Sequence, residues 1–94
     1  MSVAAVPSIQ IDNDRIRVTE WRFAPGAETG IHIHEMDYVV VPGLSGKLKI
    51  LAPDGSETIA DLEKGVSYFR KAGVHHNVVN HNDYEFSFVE VELK

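Results

Sequence analysis

Turn-forming residues cut this chain into short pieces, and no piece carries a helical period long enough for a standard helix. The interruptions fall at Asp12-Asn13-Asp14, Pro25-Gly26, Pro42-Gly43, Pro53-Asp54-Gly55, Gly65, Ala72-Gly73 and Asn80-His81-Asn82-Asp83. The intervening runs are rich in Val, Ile, Phe, Tyr and Thr, side chains that suit a pleated, half-buried surface. They predict strands over 9–11, 15–23, 31–34, 38–41, 47–51, 58–62, 66–70, 76–79 and 85–93. Pro53-Asp54-Gly55 and Asp12-Asn13-Asp14 each read as a hairpin turn. Eight or nine short strands in 94 residues imply an all-β sandwich or barrel.

Length and composition narrow the partners. The chain reads as one domain, 1–94. A domain of this size buries only ~60–65% of the surface its unfolded chain exposes, so a metal, a second subunit or both are expected to add stability. Net charge is −5 and the nine basic residues are scattered; no basic face could track a phosphate backbone, which argues against nucleic acid. There is no cysteine, so any metal must be held by imidazole and oxygen. The start lacks the basic and long apolar regions of a signal peptide. The longest apolar run, 38–41, is far too short to span a bilayer. A cytoplasmic protein without membrane attachment is expected.

Two strands are ambiguous in phase. Ile16 and Val18 lie on one face and Trp21 and Phe23 on the other; Phe86 and Phe88 oppose Val89, Val91 and Leu93. Either a bulge intervenes, or the strand is buried on both faces with Glu20, Arg22 or Glu90 turned into a cavity.

His32-Ile33-His34 is the chemical centre of the sequence. Residues two apart on a strand share a face, so both imidazoles project together, the smallest bite for a divalent ion. Alone the pair is a weak signal, but its surroundings strengthen it. Gly26 precedes it and Gly46 follows; downstream come Gly65, Gly73, His76 and Asn80 in order. These residues resemble the two motifs of the cupin superfamily, and the likeness covers nearly the whole chain, roughly 15–93. Within that superfamily the chain is similar to the small bacterial single-domain members. The resemblance implies a jelly-roll β-barrel holding one divalent metal (Fe, Mn, Ni, Zn or Cu) through His32, His34 and His76. It also implies a homodimer, with residues 1–14 as a strand or arm open to exchange between subunits. Two departures stand out. The family's glutamate should fall at Tyr38 or Val39, and Lys71 replaces the usual proline. Asp37 or Tyr38 is then the candidate fourth ligand; three imidazoles plus water is the preferred reading, with Tyr38 hydrogen-bonding near the metal.

Other polar residues carry two readings each. Val66, Tyr68 and Arg70 share a face, so Arg70 either clamps a substrate carboxylate or pairs with a carboxylate at the surface. Glu20 and Arg22 either line the cavity as an acid/base or anchoring pair or form a solvated face. His75 should point away from His76, and His81 belongs to a polar turn. Trp21, Phe23, Phe69, Phe86 and Phe88 read as core or interface residues. The functional expectation is a metal-dependent enzyme of dioxygenase, lyase or isomerase type acting on a small metabolite, an anionic one if Arg70 faces inward. The alternative is a barrel that binds or senses a small ligand without turnover.

Overall fold

The computed structural model describes residues 3–94, so the first two residues of the expected 1–94 domain and 1–14 arm lie outside the described residues. The regular structure is entirely β: β1 (Val6–Asp12), β2 (Ile16–Phe23), β3 (His32–Ile33), β4 (Asp37–Pro42), β5 (Gly46–Leu51), β6 (Glu57–Leu62), β7 (Tyr68–Arg70), β8 (His75–Asn80) and β9 (Phe86–Leu93). Among the described residues no helix is long and apolar enough to cross a membrane.

The strands form two antiparallel sheets, one ordered β1-β2-β9-β4-β7 and the other β3-β8-β5-β6. Phe23, Val40, Phe86 and Phe88 from the first share one core with Leu48, Leu62 and Val78 from the second. The expected closed barrel needs correction. The hydrogen-bonded ladders do not run from one sheet into the other, because β3 has two residues and β7 three, too few for a closing ladder. At one corner only the isolated bridges Ala4–Glu28 and Glu28–Val79 link the sheets. The result is a jelly-roll sandwich.

Local chemistry fixes the turns. Asn13 Oδ1 accepts from the backbone N–H of Arg15 and Ile16 at 2.8 and 2.9 Å, closing the β1–β2 hairpin. Gly55, with φ of +89°, turns β5 into β6. Gly46 is required for a different reason: a Cβ there would meet the Tyr84 hydroxyl at 2.7 Å and Asn82 Oδ1 at 2.9 Å. Asn80 is a buried staple whose Nδ2 donates to the carbonyls of Phe23, Ala24 and Tyr84 at 3.2, 3.2 and 2.9 Å. Its Oδ1 accepts from the Asn82 backbone and side-chain amides.

The phase ambiguity resolves without a bulge in β2 or β9. Their register runs unbroken from Ile16–Leu93 to Phe23–Phe86; the bulge lies in β1, between Ile9 and Ile11. β2 is covered on both faces over part of its length. Val18 and Thr19, on opposite faces, are each buried, and Glu90 turns inward behind Phe86 and Phe88 while Val89 and Val91 face out.

Candidate metal centre

The three histidines converge because of register. His32 and His76 are direct partners across the β3–β8 ladder, which sets their side chains on one face. His34 follows two residues later on that face. It lies beyond the end of β3, but the loop before β8 holds it: its N–H donates to the Val74 carbonyl at 2.9 Å and its carbonyl accepts from Gly73 at 2.7 Å. His32 Nε2 lies 3.0 Å from His34 Nε2, which lies 3.2 Å from His76 Nε2. Nitrogens ~2.1 Å from a common ion stand about 3.0 Å apart at right angles and about 3.4 Å apart at the tetrahedral angle. Both observed spacings fall within these limits, and the triad is a group that could hold a metal ion.

The outer nitrogens of His32 and His34 also have close neighbours. His32 Nδ1 lies 2.8 Å from the Gly30 carbonyl; a carbonyl only accepts, so the proton sits on Nδ1 and the Nε2 lone pair faces inward. Gly30 is itself anchored by its N–H to Asn77 Oδ1 at 2.9 Å. His34 Nδ1 lies 3.4 Å from Glu90 Oε1, with both side chains nearly buried. A carboxylate there favours the same tautomer. Burial pushes the Glu90 carboxyl up to about 7, helped by the neighbouring Glu92 charge and opposed by a hydrogen bond from Trp21. Burial, then the charge of His32, holds His34 down at about 4. Burial, followed by the charges of His32 and His34, does the same to His76. His34 and His76 are therefore neutral and ready to ligate near neutral pH.

The expected companions divide. Tyr38 stacks on His34 with ring centroids 4.0 Å apart at 22°. Burial, before all other influences, raises its phenol to about 12, so it stays a hydroxyl donor. Asp37 turns the other way: it is exposed and accepts from the Ala72 N–H at 2.7 Å, which leaves it remote from the triad. Glu20 and Arg22 face outward, paired at 3.0 Å, with Arg22 also reaching Glu85 at 3.2 Å. His75 and His81 are exposed. Arg70, the register partner of Tyr38, lines the rim of a cavity of about 620 Å³ together with Tyr38, Tyr68 and His76. Glu90 is the site neighbour the motif spacing does not reveal, although strand parity had placed it among the inward candidates. A second group within metal-ligating reach joins it with His34 and Glu92.

A jelly roll in which the β3–β8 edge of the smaller sheet gathers three histidines that could hold a metal ion beside a cavity defines a class of β-sandwich, and sequence comparison gives that class its name. The model of the cupin domain family matches residues 19–92, and the chain belongs to that family. It is 57% identical over 90 residues, covering 96% of this chain and 94% of its relative, to the beta-alanine degradation protein BauB of Pseudomonas aeruginosa. It is also 54% identical to a cupin domain from Bordetella pertussis known from its crystal structure, with a TM-score of 0.96 over 100% of this chain and 97% of the other. A cupin superfamily protein of Desulfitobacterium hafniense, 16% identical with a TM-score of 0.73 over 99% of this chain and 80% of the other, shares the fold.

Proposed function

We propose that this protein is a metal-dependent cupin enzyme, of dioxygenase, lyase or isomerase type, acting on a small metabolite. The observation that carries the reading is the convergence of three Nε2 atoms, at 3.0 and 3.2 Å, beside the cavity that His76 lines. A divalent ion bound there would supply Lewis-acid polarisation or, if redox-active, dioxygen activation. The chain's own residues have defined parts. His32, His34 and His76 supply ligands, the Gly30 carbonyl holds the proton on the outer nitrogen of His32, and the Glu90 carboxyl stands 3.4 Å from the outer nitrogen of His34. Tyr38 keeps its proton and can donate a hydrogen bond to an oxygen on which charge develops. The apolar wall formed by Val40, Leu48, Val78 and Phe88 limits water around the ligand. The likeness to BauB supports beta-alanine degradation as the metabolic setting.

Elemental analysis of tag-free protein beside His32→Ala and His76→Ala tests this. Close to one iron, manganese, nickel, zinc or copper per chain is expected in wild type and none in either variant. A wild-type protein that stays empty after reconstitution would sink the reading.

We also infer a homodimer. Ile11, Val18, Val91, Val39 and Phe69 are successive register partners across all five strands of the larger sheet. They form one apolar row on its outer face, with Phe69 49% and Ile11 46% exposed. An apolar row carries no sign and so matches a second copy of itself about a two-fold axis. Sedimentation velocity should show a dimer for wild type and a monomer for Phe69→Arg; a monomeric wild type refutes it.

A further inference from the structure

Three arginines of this chain take part in close contacts, and one differs from the others. Arg17 lies within 4 Å of Asp12 and Glu92, and Arg22 of Glu20 and Glu85. Arg70 has no carboxylate within that distance among the described residues, in a chain with 14 of them. Its guanidinium carbon instead lies 4.7 Å over the centre of the Tyr68 ring, and one Nη1 donates to the Phe69 carbonyl at 3.1 Å. Stacking fixes the plane of the group and leaves most of its donor edge free. The side chain is on the cavity side, since Arg70 pairs in register with Tyr38 and follows Tyr68 by two. Arg70, Tyr38 and His76 all line this one cavity.

We propose that Arg70 is the carboxylate-binding residue of this cavity, so that the substrate is a small monocarboxylate whose other end reaches His76, the member of the triad that lines it. This rests on the proposed ligand cavity beside the histidine triad. The fork of a guanidinium matches a carboxylate with two parallel hydrogen bonds. A phosphate fits less well: Arg70 is the only cation among the lining residues, and Asp61 and Glu63 stand on the rim, where they disfavour a dianion. The remaining lining, with Val40, Leu48, Ile50, Val66, Val78 and Phe88, suits a short carbon chain. A volume of about 620 Å³ is within the usual range for one small ligand.

The test is binding by metal-free and zinc-loaded protein of unbranched acids from propionate to hexanoate, each against its carboxamide, followed by NMR including the Arg70 Nε–H signal. Wild type should prefer the acid by about tenfold or more, the scale of a charge-assisted pair over a neutral one. Arg70→Gln should remove that preference, Arg70→Lys should retain part of it, and zinc uptake should be unchanged in both. Equal binding of acid and amide, no binding of either, or a preference that survives Arg70→Gln would overturn the assignment. Zinc uptake reports separately on the triad: its failure with an intact acid preference would reject the triad as a zinc site and leave Arg70's role standing.

Discussion

Along the inner face of β9 the side chains change character within four positions. Phe86 and Phe88 sit at a dry aromatic end with Phe23 and Leu48, all 5% exposed or less. Glu90 and Glu92 stand at the other end, beside His34 and Arg17. One end draws its stability from removing apolar surface from water and needs no particular partner for any one atom. The other buries ionisable groups, and each is tolerable only with a specific neighbour. A single strand thus joins a region that resists change through bulk to a region that resists it through pairing.

The sharpest way to break the comparison is at the aromatic end. Phe86→Ala removes a fully buried ring and should cost about 3–5 kcal/mol of unfolding free energy, read from urea denaturation. Next is the staple beside that end. Asn80→Ala leaves the buried carbonyl of Phe23 and the part-buried carbonyls of Ala24 and Tyr84 short of a donor and should cost about 2–3 kcal/mol in the same assay. At the polar end, Glu90→Gln should leave the fold intact but lower zinc affinity about tenfold in a chelator competition, because the His34 tautomer loses its charged partner.

The smallest effect is one of pH, and its sign separates the two kinds of group. His34 and His76 are held near 4 when folded against 6.5 when unfolded. Between these values the unfolded chain binds protons that the folded one does not, so their contribution to stability falls as pH drops from 6.5 towards 4. Glu90 is raised from 4.5 to about 7. Its folded form holds a proton the unfolded form releases, so its contribution grows as pH falls from about 7 to 4.5 and is lost as pH rises through 7. Two imidazoles outweigh one carboxyl, and the metal-free protein should melt at lower temperature at pH 5 than at pH 7. Glu90→Gln should steepen that decline; a melting temperature that is flat or rises on acidification would contradict the balance.

The histidine convergence was legible because its parts are local: alternation puts His32 and His34 on one face, and motif order ties His76 to them. Glu90 was harder to single out. With apolar residues at both parities of β9, alternation leaves no marker for the inner face. Glu20 and Arg22 show the same ambiguity resolved the other way, since they pair on the outer face with Glu85. The gap between the sheets depends on how far β3 and β7 extend. That is set by contacts between distant segments, such as the hold of residues 73–74 on His34, and strand-forming composition does not encode it. Asn80 was placed in its motif from sequence, yet its five side-chain hydrogen bonds emerge only once the β2–β3 and β8–β9 connections meet.

The edge strand β1 is exposed along all seven of its residues, and a long bare edge invites other chains to add strands without end. Two of its features oppose this. Pro7 has no N–H to offer an incoming strand, and the bulge between Ile9 and Ile11 throws any continuous ladder out of step. The sticky outer face can therefore meet a partner by its side chains while the backbone edge beside it refuses to template fibrils, which should keep this protein soluble at concentrations where a straight, proline-free β1 would aggregate.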